Sequence, residues 1–187
     1  QKTGKRFKYK QGLDERLLTP EKINMLLNSK YDGTLTFAFD NIEDKEIIIK
    51  KMEMWRKIDT RKIPMFYVLC GFDKTNKYDT AFWKQDIIDT FERVKILMKY
   101  KCIPYIMRYE KYNDSPYKGT YINLARWCNQ PQFYKKKSYR EFCLFQNNTK
   151  SDSDCSAVQY MKQLETDYPE IAKEYFDLKF ENINEYK

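Results

Sequence analysis

Four short apolar segments recur about every thirty residues through the first 110 positions: Phe7–Leu13, Leu35–Phe39, Ile63–Cys70 and Ile103–Met107. Each gap between them carries helical periodicity, so the chain reads as repeated strand–helix units. Right-handed crossovers turn such units into a parallel sheet or an arc of a barrel. The run from Pro64 to Cys70 is continuously apolar apart from one Tyr hydroxyl, the pattern of a strand covered on both faces. Thr19-Pro20-Glu21 is a helix start, with a capping hydroxyl, a proline whose missing N–H costs nothing and an acid at the positive helix end. Apolar stripes follow at Ile23, Leu26 and Leu27, at Ile48, Met52 and Trp55, and, behind an Asp79 cap, at Trp83, Ile87, Phe91, Val94 and Met98. All three stripes read as core.

The expected fold is therefore α/β, a partial parallel (β/α) barrel of about four strands near residues 6–13, 34–40, 64–70 and 103–108. Too few units are present to close an eight-unit barrel, so the expectation is a later part of one whose opening units lie upstream of Gln1. The rhythm stops after Glu110. Residues 111–150 are rich in Tyr, Lys and Asn, Asn147–Asp154 is a polar linker, and the stretch from about Cys155 to Leu178 is helical and acidic. This divides the chain into βα units over 1–110 and a mainly helical extension over 111–187.

Composition removes several chemistries. Among 187 residues there is no histidine, which excludes Ser-His-Asp and Cys-His nucleophilic schemes and every His-ligated metal site. The cysteines at 70, 102, 128, 143 and 155 lie far apart, with no CxxC or CxxxCxxC spacing, so no metal site is expected from them. Cys70 and Cys102 sit in or beside apolar runs and read as small core residues. No apolar run is long enough to span a membrane, and the expectation is a soluble, cytoplasmic chain. The formal net charge of +8 is uneven: Lys2, Lys5, Arg6, Lys8 and Lys10 open the chain, while the tail from Glu165 is acidic. An anionic partner is compatible with that balance, as is a plain Lys-rich surface.

In parallel α/β folds ligands gather beyond the carboxyl ends of the strands. Those ends read Asp14-Glu15-Arg16, Asp40-Asn41, Gly71-Phe72-Asp73 and Arg108-Tyr109-Glu110. A ligand carrying both carboxylate and ammonium groups suits such a rim. The competing reading is that Asp40 or Asn41 merely caps the next helix.

The blocks Gln11–Thr19, Phe37–Asn41, Tyr67–Phe72 and Pro104–Tyr109, together with Trp127-Cys128-Asn129, resemble the later strands of a radical S-adenosylmethionine barrel of the phage- and mobile-element-associated type. The resemblance covers roughly residues 10–145. It implies that Asp14 and Arg16, then Asp40 and Asn41, contact the methionine and ribose parts of S-adenosylmethionine, with Gly71 near the adenine. It implies a 4Fe–4S cluster in the intact parent, held by a CxxxCxxC motif on the missing N-terminal half of the barrel, because that motif is absent here. On this reading the chain is a fragment of an iron–sulfur enzyme acting on an unknown substrate, inactive alone and binding neither cofactor by itself. A degenerate, non-catalytic scaffold is one alternative. The other is a nucleic-acid module, since Trp127, Phe133, Tyr134, Lys135, Lys136, Lys137, Tyr139, Arg140 and Phe142 interleave rings and cations. The same segment also fits an amphipathic helix near Ser138 with its rings turned inward.

Overall fold

The computed structural model describes residues 4–147 and 153–183. Its sheet has three parallel strands in sequence order, β1 (Thr36–Ala38), β2 (Met65–Cys70) and β3 (Ile103–Arg108). The crossovers are α2 (Lys45–Ile58) and α3 (Thr80–Lys99), and α1 (Pro20–Leu27) precedes β1. The α/β class and the parallel pairing agree with the sequence. The helix signals do as well: Thr19 and Asp79 accept N–H bonds from Lys22 and Phe82, and Ile48, Met52 and Trp55 are all buried.

The first apolar segment is the exception. Residues 6–13 form no strand; Phe7 and Leu13 make only isolated parallel bridges, to Tyr31 and Phe37. The Leu13 N–H donates to the Thr36 carbonyl at 2.8 Å, so the chain touches the edge of β1 without running along it. The exposed Lys8, Lys10 and Gln11 lie between the two bridges, and the segment lacks the continuous apolar side that would lock a register.

Only one face of the sheet is covered. Phe37, Phe66, Val68, Cys70 and Ile106 are buried on that side. Across the sheet, Tyr105 and Met107 are 40% and 43% exposed, and Met65, Tyr67 and Leu69 are half-buried. The continuously apolar β2 therefore does not have both faces hidden, because the crossover helices share one side. Beyond β3 the sheet is closed by a side chain. Asn129 accepts from the Ile106 N–H at 2.7 Å and donates to its carbonyl at 3.1 Å, standing in for a further strand at an otherwise open edge.

Two buried arginines on the crossover helices hold the strand ends. Arg93 of α3, 2% exposed, turns its Nη1 to the carbonyls of Phe39, Asp40 and Leu69 at 3.1, 2.8 and 2.8 Å, joining the carboxyl ends of β1 and β2. Arg56 of α2 does the same before the strands begin, donating to Tyr100, Lys62 and Lys101 carbonyls at 2.8 Å each.

After β3 come α4 (Lys118–Cys128), α5 (Pro131–Tyr134), α6 (Tyr139–Phe145), α7 (Ser156–Asp167), α8 (Pro169–Tyr175) and α9 (Phe180–Ile183). One buried cluster runs from Leu18 through the sheet to Phe180. The expected linker Asn147–Asp154 falls largely at 148–152, outside the described residues. α4 and α7 pack against each other, and a Cβ on Gly119 would lie within the Tyr160 ring.

Two stability predictions follow from this packing. Arg93→Met strands three buried carbonyls and should cost about 3–5 kcal/mol in urea unfolding, the scale for removing one partner of a buried charge network; a loss below ~1 kcal/mol would refute its anchoring role. Gly119→Ala should cost about 1–3 kcal/mol by overpacking, and less in a Tyr160→Ala background. Equal costs in the two backgrounds would refute the close crossing.

Candidate functional site

The Leu13 bridge, β1 and β2 run parallel, so their carboxyl ends lie side by side. A hollow of about 180 Å³ opens there, lined by Asp14, Glu15, Arg16, Asp40, Asn41 and Asp44 among others. Four of the five site residues expected from sequence thus share one cavity.

Asp14 and Arg16 form a forked pair within one turn of 3-10 helix (Glu15–Leu17). Arg16 Nε and Nη2 donate to the two Asp14 oxygens at 2.9 and 3.0 Å, and the Arg16 N–H donates to Asp14 Oδ1 at 3.0 Å. These bonds hold the Asp14 carboxyl below its usual range. Arg16 Nη1 also lies 3.8 Å from Asp44, which reaches it from the turn Ile42–Asp44.

Asp40 does not cap the next helix. Its Oδ1 accepts the Leu69 N–H at 3.1 Å, tying the end of β1 to β2, while Arg93 holds its carbonyl. Asn41 occupies the N-terminal position of the following turn but makes no side-chain capping bond. Asp40 also borders an open hollow of about 780 Å³ over the bare sheet face, lined by Met65, Tyr67, Leu69, Tyr105 and Met107. That hollow is apolar at its base and charged only where Asp40 and Lys10 meet it.

Gly71 lies apart from this cavity. It is buried, has φ +75°, and a Cβ there would press on Tyr112 at 3.2 Å. Its N–H donates to Asp86 Oδ2 at 2.8 Å, and the same oxygen accepts from the Tyr121 hydroxyl at 2.8 Å. Burial raises the Asp86 pKa while those two bonds lower it. This is an anchor joining α3, α4 and the end of β2, and Gly71 is there because its left-handed backbone excludes other residues.

Glu15 is the site residue the sequence did not single out. It is 2% exposed between two solvated charges, and burial raises its pKa to about 7. Nothing local in Asp14-Glu15-Arg16 distinguishes the inward side chain from its neighbours. The cue lies in the turn, which points Asp14 and Arg16 outward and Glu15 back under β1.

The basic and aromatic stretch after Trp127 is core. Trp127, Tyr134, Tyr139 and Phe142 are at most 1% exposed, and Ser138 opens α6 with a capping box to Glu141. Those rings are closed to stacking on a nucleobase. Among the described residues no cluster of acidic or cysteine side chains is arranged to hold a metal ion, and no helix is long and apolar enough to cross a membrane. Four of the five cysteines are buried, Cys70 and Cys102 among them. No protein-family model, curated protein or solved structure matches the chain.

The Glu15 environment sets a pH dependence. Its folded pKa lies above the ordinary value of 4.5, so the folded state holds the proton more tightly. Stability should then fall as pH rises from about 4.5 to about 7, with no penalty below that window and the full penalty above it. Because the group borders a solvent-filled hollow, a discounted figure of about 1–2 kcal/mol applies. Glu15→Gln should raise the urea midpoint at pH 8 and leave it nearly unchanged at pH 4. An equal effect at both values would contradict the buried-acid assignment.

Proposed function

We propose that this chain is the later part of a parallel (β/α) barrel of the radical S-adenosylmethionine type. In this reading the bare sheet face is part of the barrel's inner wall, and the hollow at the strand ends is part of its cofactor-binding rim. The observation that carries the proposal is the one-sided sheet. Its helix-covered face is buried, while the other presents Met65, Tyr67, Leu69, Tyr105 and Met107 to an open hollow. Barrel interiors are filled by inward-facing side chains of this kind, and chemistry sits at the carboxyl ends of the strands.

The residues at the rim suit the amino-acid and ribose ends of such a cofactor. Arg16 is half exposed and carries a guanidinium fork, which recognises carboxylates bidentately. Asp14 beside it offers an acceptor for an ammonium group. Asp40 spends one oxygen on Leu69 and keeps the other for a hydroxyl, and the Asn41 amide has no capping bond to give up. The role first assigned to Gly71 becomes one of shaping the strand end, since Tyr112 covers it. When bound, S-adenosylmethionine supplies the initiating radical in that family. This chain's share is to bind and orient: Arg93 fixes the backbone on which Asp40 sits, and the apolar wall keeps water from the sheet face. The separated, mostly buried cysteines do not fit a 4Fe–4S cluster, so the proposal assigns its ligands to the earlier barrel units. The substrate is left open.

Binding of S-adenosylhomocysteine to the 187-residue chain, followed by amide NMR, tests the rim. Saturable shifts at Arg16, Asp40 and Leu69 are expected, with affinity near ~1 mM, or about 4 kcal/mol. Arg16→Ala should weaken binding by about 1.5–3 kcal/mol, the scale for a charged hydrogen bond. Shifts that survive unchanged in both Arg16→Ala and Asp40→Ala, or no shifts at the rim, would overturn the assignment.

A further inference from the structure

A separate cavity opens before the strands begin, at the amino end of the sheet, and the proposed function makes no use of it. It encloses about 250 Å³ and is lined by Leu26, Leu35, Trp55, Ile63 and Pro64, with Lys62, Thr34, Gly33 and Tyr31 completing the wall. Trp55 is 0% exposed, and its indole N–H has no hydrogen-bond partner. The comparison within the chain is direct: the Trp127 indole donates to the Lys137 carbonyl at 2.9 Å. An unpaired buried donor costs about 1–3 kcal/mol, and native structures seldom leave one without an acceptor.

The backbone nearby is already occupied. The Leu35 and Pro64 carbonyls accept from the Met65 and Ile103 N–H groups at 3.0 and 2.9 Å. A lone water at the indole would therefore meet apolar side chains where it needs two to four polar partners. Cationic groups surround the opening. Lys62 lines it, and its ammonium makes a hydrogen bond to the Leu27 carbonyl at 2.9 Å. Lys8 reaches the Gly33 turn, and Tyr31 is shared with an adjoining hollow lined by Arg6 and Lys30. The acids in the same loops are Asp32 and Asp59, and Asp59 is engaged by the Lys62 N–H at 2.7 Å.

We infer that this cavity is a binding site for a small amphipathic carboxylate, with one oxygen accepting from Trp55 Nε1, the charge met by Lys62, and the apolar body against Leu26, Leu35 and Pro64. The cavity holds about eight heavy atoms on the scale of ~30 Å³ each, which suits a six-carbon chain. The site depends only on residues of α1, α2 and the loops before β1 and β2, so it stands or falls independently of the strand-end rim.

Hexanoate titrated into the full chain tests it, with the three indole N–H resonances as readout. The Trp55 signal, identified by its loss in Trp55→Phe, should move saturably while those of Trp83 and Trp127 stay put. Lys62→Met, an exposed substitution that leaves the core intact, should weaken binding by roughly threefold to tenfold. Hexanol should bind more weakly than hexanoate. An unmoved Trp55 indole, a cross-peak to a bound water that hexanoate does not displace, or equal binding of hexanol and hexanoate would each overturn the proposal. Unchanged hexanoate affinity in Lys62→Met would do the same.

Discussion

The carboxyl ends of β1 and β2 converge on a single guanidinium. Arg93 is buried, and three main-chain carbonyls from two strands meet at its Nη1. Burying such a charge is expensive unless its donors are met, so the group is stable only when those strand ends are brought together. The consequences reach the candidate site directly. Asp40 is held by its own carbonyl and by the Leu69 N–H on its carboxylate, and its position between the strand-end hollow and the open sheet face is thereby fixed. Arg56 serves the other end by collecting the carbonyls that lead into β2 and β3.

Both arginines rise from crossover helices, and those helices lie on one side of the sheet. The result is a layered body with a dense aromatic core on that side and a bare apolar wall on the other. Tyr67 and Tyr105 meet edge to face on the bare wall with ring centroids 5.7 Å apart, a contact that orders the surface without hiding it. A parallel sheet normally has both faces covered. A barrel reading accounts for the exposed wall as an interior, and the polar rim then falls where ligand chemistry gathers in such folds. The cavity beneath Trp55 belongs to the opposite end and to a different set of residues.

Much of this was legible in the sequence, and the parts that were not share a cause. The helix stripes at Ile48/Met52/Trp55 and Trp83/Ile87/Phe91/Val94/Met98 declared themselves because periodicity reports which side of a helix is apolar. Capping at Thr19, Asp79 and Ser138 was visible for the same local reason. The segment at 6–13 was over-read, since apolar content does not say whether a neighbour runs alongside. Continuous apolarity in β2 likewise could not say that one face lacks a cover within the chain. Arg56, Arg93 and Glu15 are buried charges whose partners are far off in sequence, at Tyr100, Phe39 and the strand beside Leu13, so no local window could mark them. The indole of Trp55 read correctly as core, but an unmet donor is visible only when the surrounding acceptors are counted in space.

The account turns on the sheet being covered on one side and bare on the other, and methionine oxidation reads both sides in one experiment. Dilute peroxide applied to the folded chain, followed by peptide mass spectrometry, compares Met107 on the open face with Met52 and Met98 under the helices. Met107 is 43% exposed and the other two are fully buried. Rapid oxidation of Met107, approaching that of the exposed Met25, with Met52 and Met98 protected until unfolding, is the predicted result. Protection of Met107 equal to that of Met52 would mean that the face is covered within this chain, and the one-sided sheet would be contradicted.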